Sequence, residues 1–229
     1  MSPAWWRGEA VIAQGAEAVL QSGTWLGRAA VLKLRAPKAY RHPELDSRIR
    51  AARARAEARA LRDGRAAGVR TPAVLDIDEG AGALVLERID GPTVRAAYDG
   101  LPDADRARVA RALGGALGRL HAAGLVHGDP TTSNFILERL PPGGGEVAIA
   151  VIDMSMGGPA EGVEERGVDL RLLHEAFCST HHLHEREFAL VLEGYRAADP
   201  GGAEGAISRM DAIASRGRYQ ARGAKEGFA

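Results

Sequence analysis

One polar segment set between apolar residues carries the side chains best suited to chemistry. It is His127-Gly128-Asp129-Pro130-Thr131-Thr132-Ser133-Asn134, and it lies between Leu125-Val126 and Phe135-Ile136-Leu137. Asn134 follows Asp129 by five residues, and Asp153 comes at the end of the next apolar stretches. Carboxylate and amide oxygens are the hard ligands that Mg²⁺ prefers. This order is typical of phosphoryl transfer, which needs a positioned hydroxyl acceptor and neutralised phosphate charge.

Each of these three polar residues has a predicted role. Asn134 and Asp153 are the candidate Mg²⁺ ligands. Asp129 is predicted to orient the acceptor hydroxyl rather than to act as a strong base, because the ordinary pKa of an aspartate is low. The same order of residues is used by protein-kinase-like phosphotransferases.

Lysine is rare in this chain, which has only Lys33, Lys38 and Lys225. Lys33 lies in an apolar run, and we predict that it contacts the α- and β-phosphates of ATP, with Glu57 on the following predicted helix as its partner. The alternative is that Lys33 is an exposed strand residue and that Glu57 bonds Arg53 one turn earlier.

Backbone groups supply the other predicted contacts with ATP. The loop that could cover the phosphates consists of small and polar residues, Gln14, Gly15, Ala16, Glu17 and Ala18. Small side chains permit close backbone approach. The backbones of Glu87 and Ile89 are expected to meet the adenine edge. A plain hairpin turn and a simple linker remain the alternatives for these two segments.

Turn residues and apolar spacing predict the elements that position these groups. The predicted strands are Ala10–Ala13, Ala18–Gln21, Thr24–Arg35, Val74–Ile77 and Ala83–Ile89. A long helix is predicted from Pro43 to the region of Gly64 and Gly68. Further helices are predicted after Pro102, over Val168–Ser179, Glu185–Ala197 and Gly202–Arg216, around a hairpin of Phe135–Leu137 and Val147–Ile152.

The predicted fold class is α+β, with two lobes. An N-terminal antiparallel sheet and one long helix form a nucleotide-binding lobe over residues 1–90. A mainly helical C-terminal lobe with the catalytic loop and a basic tail covers residues 91–229.

Composition excludes several other classes of protein. The 229 residues are 45% hydrophobic and carry no net charge, as expected of a globular chain. A single cysteine, Cys178, excludes an internal disulfide. Without a signal peptide or an apolar run of about 20 residues, no membrane association is expected, and we predict a cytoplasmic protein.

Several longer motifs carry a resemblance to one family. They are QGAEA at Gln14–Ala18, PKAYRHPELD at Pro37–Asp46, RAEARAL at Arg55–Leu61, HGDPTTSN, and Ser179-Thr180-His181. From about Gln14 to Gly217, the chain resembles the small atypical kinase subunit of the KEOPS/EKC complex. Aminoglycoside- or choline-kinase-like enzymes would share HGD-x4-N, but not the Thr-Thr-Ser insert or the PKxYRHPxLD segment.

The resemblance implies a minimal two-lobed protein-kinase fold that binds ATP and Mg²⁺. It implies Ser/Thr kinase activity, and ATP hydrolysis that supports threonylcarbamoyladenosine formation next to the tRNA anticodon. The implied partners are the catalytic threonylcarbamoyl-transferase subunit, a small regulatory subunit on the N-terminal lobe, and tRNA through the complex. In a eukaryote the protein would also be nuclear.

By matching position, the resemblance also implies residue roles. Lys33 and Glu57 would be the phosphate-binding pair, Asp129 the catalytic acid, and Asn134 with Asp153 the metal ligands. Asp169 would brace the catalytic loop, with a helix N-cap as the alternative role.

Three departures from the family pattern stand out. Pro130 follows the catalytic aspartate and stiffens the loop. Met154-Ser155 replaces Phe-Gly. Met154 is therefore expected to fill the phenylalanine pocket, and Ser155 lacks the backbone freedom of the glycine it replaces. The tail over residues 216–222 is less densely basic than the ending that is typical of the family. One alternative function is a scaffold whose substituted Asp153-Met154-Ser155 segment no longer hydrolyses ATP. A small-molecule kinase is a separate alternative.

Three further features add expectations. Because Gly128, not Arg, precedes Asp129, no switching by activation-loop phosphorylation is expected. The segment from Lys38 to Arg70 has ten basic and four acidic residues, and four arginines recur at helical spacing, Arg48, Arg55, Arg59 and Arg62. This face is either solvated or contacts tRNA phosphates. The histidines of His181-His182-Leu183-His184 are expected in a solvated loop rather than in a zinc site.

Overall fold

An antiparallel sheet forms the N-terminal part of the chain. The computed structural model describes residues 6–15 and 17–223, with side chains through residue 215. The strands are β1 (Arg7–Gln14), β2 (Ala18–Trp25), β3 (Arg28–Arg35), β4 (Val74–Asp78) and β5 (Ala83–Glu87). They pair in the order β1-β2-β3-β5-β4. The predicted N-terminal antiparallel sheet is confirmed.

The prediction of a single strand over Thr24–Arg35 is wrong. β2 ends at Trp25 and β3 begins at Arg28, with a turn at Leu26 and Gly27 between them. Both turn residues have positive φ, 47° at Leu26 and 78° at Gly27, as tight hairpin turns require. Gly27 is a turn signal, but the apolar residues on both sides of it favoured a single strand in the sequence pattern.

The long helix α1 (Pro43–Ala66) begins at the predicted proline. Proline suits the first helical turn because its missing N–H has no partner there, and Glu44 and Asp46 complement the positive end of the helix dipole. Ala54, Glu57 and Leu61 recur on its buried face and are fully buried. The predicted helix is confirmed.

The remainder of the chain is mainly helical. Its helices are α2 (Val94–Ala97), α3 (Asp103–Ala122), α4 (Val163–Thr180), α5 (Phe188–Ala198) and α6 (Ala203–Gly223). Its short strands are β6 (Leu125–Val126), β7 (Phe135–Arg139), β8 (Ala148–Val151) and β9 (Gly158–Pro159). β7 pairs with β8 as predicted, and β6 pairs with β9. α4 begins at Val163, ahead of the predicted Val168.

The two faces of β3 serve different layers. Ala30 and Leu32 are buried in a small cluster with Trp6, on one side of the sheet. Residues that alternate with them face α1, because successive side chains of a strand point to opposite faces. The main core is continuous from α1 and β5 through α3 to α5.

The two halves of the chain meet at Arg70 and at the segment after β5. The Arg70 carbonyl accepts a hydrogen bond from Val151 N at 2.8 Å. After β5, Leu137 N donates to Pro92 O at 2.9 Å and so holds the segment that leaves the sheet against β7. Within the described part of the chain, no helix combines the length and apolarity that crossing a bilayer requires.

Candidate active site

A cluster of charged side chains joins β3, α1 and the segment after β8. Lys33 Nζ lies 2.7 Å from Glu57 Oε1 and 2.6 Å from Asp153 Oδ1. Arg35 Nη2 lies 2.6 Å from Glu57 Oε2. Lys33, Arg35 and Glu57 are 6%, 4% and 0% exposed. The structure thus brings together three residues that the sequence singled out, and adds Arg35.

The alternative for Lys33 and Glu57, an exposed lysine and a glutamate bonded to Arg53, is wrong. Lys33 is buried rather than exposed, and Arg53 bonds Glu17 at 2.7 Å rather than Glu57. Lys33 and Arg35 share a face of β3 because they are two residues apart. That face looks onto α1, where Glu57 is one of the buried residues. The spacing of Arg35 from Lys33 was the signal that could have found Arg35.

Burial and charge act in opposite directions on the two carboxyls. Burial raises the pKa of the Glu57 carboxyl, and the neighbouring Lys33 ammonium and Arg35 guanidinium oppose that rise. Burial also acts to raise the pKa of Asp153, but the Lys33 ammonium and hydrogen bonds from Ser155 outweigh it, so this pKa lies below its ordinary value. The Asp153 side chain is 40% exposed. An ionised and accessible carboxylate can therefore serve as a ligand there.

Backbone pairing brings Asp153 beside the loop over residues 127–134, the candidate catalytic loop. Phe135 pairs with Val151, and Ile152 N donates to Asn134 O at 2.9 Å. Asp153 itself has a φ of 56°, which is uncommon outside glycine. The β7–β8 hairpin therefore places Asp153 next to Asn134, although the residues are far apart in sequence.

Asn134 is oriented by Asp129. Asn134 Nδ2 donates to Asp129 O at 2.9 Å and lies 3.4 Å from Asp129 Oδ2. Within the described residues, no hydrogen bond engages Asn134 Oδ1, and the Asp129 side chain is exposed. The nitrogen of the amide is thus occupied inside the loop, while its oxygen is left for a ligand.

Asp169 braces the same loop from α4. Its carboxylate accepts hydrogen bonds from His127 N at 2.6 Å and from Gly128 N at 2.9 Å. The N-cap alternative is wrong because Asp169 lies inside α4, which begins at Val163. His121 Nε2 lies 3.2 Å from Asp169 Oδ2, and His121 Nδ1 lies 2.7 Å from Tyr195 Oη. Sequence reasoning missed His121 and Tyr195, because only the fold brings α3, α4 and α5 to one point.

His127 is also built into the loop scaffold. It is fully buried, and its Nε2 lies 3.0 Å from Ile152 O. Burial lowers the pKa of His127, against the opposing effect of Asp169. Its imidazole therefore supports the loop in the neutral form.

Met154 and Ser155, which stand where the family pattern has Phe-Gly, differ in burial. Met154 is fully buried in the main core, and a Cβ added at Gly64 of α1 would lie 3.6 Å from its sulfur. Ser155 is half-buried and hydrogen-bonds Asp153. Pro130 is buried, and Thr131 N donates to Asp129 O at 2.8 Å.

The predicted phosphate-covering loop is a tight hairpin. Gly15 N donates to Ala18 O at 2.9 Å, and Ala36 N donates to Glu17 O at 3.1 Å. Gln14 is exposed at the end of β1. Ala16 lies outside the described residues.

Glu87 and Ile89 lie where β5 leads into the second half of the chain. Glu87 N donates to Ala73 O at 2.8 Å, and the Glu87 carboxylate bonds Arg70 at 2.9 Å. Among the described residues, Ile89 N makes no hydrogen bond. The Glu87 side chain is therefore occupied structurally, and Ile89 offers an available donor.

The expectation that the histidine cluster is solvated is wrong for His181. His181 is fully buried, and its Nδ1 lies 2.6 Å from Asp99 Oδ1. His182 is exposed, whereas His184 is half-buried near Glu187 at 3.5 Å.

The donor set at the loop fits Mg²⁺. The carboxylate of Asp153 and the amide oxygen of Asn134 are hard oxygens on neighbouring backbone. Mg²⁺ usually takes only one or two protein carboxylates and completes its shell with phosphates and water. The residues present therefore suit a metal held together with a nucleotide, rather than by an all-protein cage.

Known proteins are similar to this chain in fold and in sequence. Residues 10–124 match the model of the phosphotransferase enzyme family. The Rio2 kinase of Chaetomium thermophilum has a similar fold, with a TM-score of 0.58 at 16% identity over 93% of this chain and 72% of that one. The two-lobed fold, the family match and the charged cluster define a kinase-like phosphotransferase.

Relatives in sequence narrow the class to one family. The chain is 37% identical to the mouse EKC/KEOPS complex subunit Tp53rkb, covering 91% of this chain and 86% of the relative. It is 38% identical to the KEOPS complex subunit Bud32 of Pyrococcus abyssi, covering 84% and 85%. It belongs to the Bud32 family of KEOPS/EKC complex subunits.

Some relatives are much longer. The chain is 39% identical to a probable bifunctional tRNA threonylcarbamoyladenosine biosynthesis protein of Methanothermobacter thermautotrophicus, and spans 36% of that protein's length. The similarity thus covers about a third of the bifunctional protein.

Proposed function

We propose that this chain binds ATP with Mg²⁺ and acts as an atypical Ser/Thr protein kinase and ATPase of a KEOPS/EKC complex. Its role there is to support threonylcarbamoyladenosine formation in tRNA next to the anticodon. The observation that carries the proposal is the buried Lys33 ammonium, 2.7 Å from Glu57 and 2.6 Å from Asp153. The relatives, which are named as KEOPS subunits and as threonylcarbamoyladenosine biosynthesis proteins, support the biological setting.

Each site residue has a proposed role. Lys33 binds the α- and β-phosphates, and Glu57 holds Lys33. Asp129 orients the hydroxyl or water that attacks the γ-phosphate. Asn134 and Asp153 would hold Mg²⁺, which neutralises charge on the β- and γ-phosphates when bound.

Backbone contacts complete the proposed ATP site. The Glu87 carbonyl and the free Ile89 N–H meet the adenine edge, and the segment Gln14–Ala18 covers the phosphates. We place the boundary of the nucleotide-binding lobe at residue 90. The bridge between Thr93 and Ile136 supports this boundary, because it attaches the next segment to β7 of the C-terminal lobe.

The proposed partners are proteins and RNA of the complex. They are a catalytic threonylcarbamoyl-transferase subunit, a small regulatory subunit on the N-terminal lobe, and tRNA. We place the protein in the cytoplasm, and also in the nucleus if the source is a eukaryote.

Mg²⁺-dependent ATP turnover tests the enzymatic role. We expect turnover by the full chain with the transferase subunit present, and its loss in Asp129→Ala and in Asp153→Ala. Asp211→Ala, which removes an exposed acid on α6, is the matched control. If the unmodified chain shows no turnover even with its partner, the chain acts as a scaffold instead.

The arginine face of α1 is the proposed contact for tRNA phosphates. Arg48 and Arg59 are exposed, and Arg59 lines a groove with Arg55, Arg62 and Arg65. In-chain acids already engage part of this set, since Arg55 bonds Glu79 at 2.5 Å and Arg62 bonds Asp63 at 3.0 Å. The face therefore has at least two arginines available for phosphate.

Charge reversal tests this RNA contact. We expect Arg55→Glu with Arg59→Glu to weaken tRNA binding by the assembled complex and to reduce its salt dependence, with ATP binding unaltered. Arg119→Glu, at an exposed arginine of α3, is the control for a general change of charge. Unchanged tRNA affinity in the double variant would exclude this surface.

A further inference from the structure

Arg35 is a buried cation next to the proposed nucleotide site. We propose that Arg35 is a positioning residue that holds Glu57, and with it α1, while Lys33 exchanges Asp153 for nucleotide phosphate. The inference rests on the proposed ATP site and adds to it a residue that acts without touching substrate.

The geometry gives each oxygen of Glu57 its own cation. Oε1 accepts from Lys33 at 2.7 Å, and Oε2 accepts from Arg35 at 2.6 Å. Arg35 also lies 3.5 Å from the carbonyl of Arg53, on the same helix as Glu57. Two neighbouring positions on one face of β3 are therefore both tied to α1.

Lys33 and Arg35 differ in the number of acidic partners that each contacts. Lys33 forms ion pairs with both Glu57 and Asp153, and the phosphates of a bound nucleotide would contact it as well. Among the described residues, Glu57 is the only acid within ion-pair distance of Arg35. The guanidinium is also rigid and only 4% exposed. Arg35 can therefore remain on Glu57 throughout, whereas Lys33 must move between partners.

Burial makes this second cation necessary. Glu57 is fully buried, and a buried carboxylate without a partner is strongly unfavourable. If Lys33 were the only cation, Glu57 would have to share it with Asp153 and then with phosphate, and would be only partly compensated. With Arg35 in place, Glu57 keeps a full charge partner and α1 stays docked on the sheet.

This arrangement also explains how α1 is held without a phosphorylated loop. Gly128 stands before Asp129, where an arginine would be needed to bind a loop phosphate. The contact between Arg35 and Glu57 comes from the fold alone. The site is therefore assembled before nucleotide arrives.

A double-mutant cycle tests the inference on the full chain. The variants are Arg35→Met, Glu57→Gln and their combination, with the Kd for Mg²⁺-ADP as the measurement. We expect Arg35→Met to raise the Kd by roughly tenfold or more alone, and by less than about twofold in the Glu57→Gln background. Arg35→Lys keeps the charge and should retain most of the affinity.

Arg50→Met is the matched control. Arg50 Nε bonds Asp46 at 2.8 Å and its Nη1 bonds Ala81 O at 2.6 Å, so it ties α1 to the turn between β4 and β5 without using Glu57. We expect its effect on the Kd to be the same in both backgrounds. Arg35→Gln carries the same cycle if Arg35→Met does not fold.

The outcomes separate this inference from the proposed function. Equal losses for Arg35→Met in both backgrounds, or an Arg35→Lys variant as impaired as Arg35→Met, would overturn the role of Arg35. Both results presuppose that the unmodified chain binds Mg²⁺-ADP. Failure of the unmodified chain to bind would instead overturn the proposed function, and the inference with it.

Discussion

At the catalytic loop, Gly128 occupies a position where a side chain has no room. Its φ is 82°, and an added Cβ would lie 2.2 Å from Met156 O. Its N–H also donates to Asp169 at 2.9 Å. The loop before Asp129 and the segment after Asp153 can approach each other only because this residue is a glycine.

We therefore expect Gly128→Ala to lower the free energy of unfolding by at least about 2 kcal/mol, from positive φ and from the clash together. Gly124→Ala is the control, because Gly124 has a φ of 72° but no atom within 4 Å of an added Cβ. Its expected cost is about 1 kcal/mol. Urea unfolding measures the free energy of unfolding of both variants. Equal losses would mean that the clash with Met156 contributes nothing to the cost of Gly128→Ala.

Much of the site could be predicted from residues that are close in sequence or unusual in context. A lone lysine in an apolar strand and the spacing of Asp129, Asn134 and Asp153 were sufficient to select those residues. Arg35 and the pair of His121 with Tyr195 were not found, because arginine is common in this chain and these contacts exist only after helices and strands pack.

Among the elements, α3 and α5 cross each other closely, with glycine at the contact. A Cβ added at Gly194 of α5 would lie 1.9 Å from Arg111 O of α3. At Gly114 of α3, it would lie 1.8 Å from Val191 O. The crossing sets the position of Tyr195 on α5, which hydrogen-bonds His121. His121 in turn contacts Asp169, the residue that holds the loop over residues 127–134.

We expect Gly194→Ala to destabilise the protein by roughly 1–3 kcal/mol, because the helices must separate to admit a methyl group. Gly115→Ala is the matched control, since an added Cβ there meets Arg119 Nη1 at 3.5 Å, an ordinary contact. Alanine favours a helix over glycine, so this control should gain up to about 1 kcal/mol. Thermal unfolding of both variants checks the pair, and a stable Gly194→Ala would contradict the close crossing.

Element boundaries were predictable where turn chemistry marked them. Pro43 marked the start of α1, and its acidic first turn agreed with that start. The turn at Leu26 and the early start of α4 at Val163 escaped the pattern. Leu26 is 82% exposed, so the pairing of β2 with β3, and not core packing, holds its positive φ. At α4, Glu164 and Glu165 in the first turn were local start signals that the prediction did not use.

For the whole molecule, Arg70 links the two lobes. Its Nη2 lies 2.9 Å from Glu87 Oε1 at the end of β5 and 2.8 Å from Glu138 Oε1 on β7. The Arg70 hydrogen bond, against a smaller effect of burial, holds the pKa of Glu87 below its ordinary value of 4.5. A carboxyl with a lowered folded pKa stabilises the fold above its unfolded pKa and loses that contribution as the pH falls.

We therefore expect Arg70→Met to cost about 1 kcal/mol at neutral pH, and less as the pH falls below 4.5 through the folded pKa of Glu87. Unfolding free energies at about pH 7 and pH 3 measure the difference. Arg62→Met, at a side chain that is 70% exposed, is the control and should change neither value. A loss of the same size at both pH values would contradict the ion-pair origin of the effect.

The central claim is that Lys33 and Asp153 converge on one Mg²⁺-bound nucleotide, and calorimetric titration with ADP tests it most directly. We expect Mg²⁺ to tighten ADP binding by the unmodified chain by roughly tenfold or more relative to EDTA, equivalent to about 1.4 kcal/mol. Asp153→Asn should lose this gain, while Lys33→Met should lose affinity in both conditions. Asp211→Asn is the control and should behave as the unmodified chain. An Asp153→Asn variant that keeps the full gain from Mg²⁺, or an unmodified chain indifferent to Mg²⁺, would contradict the claim.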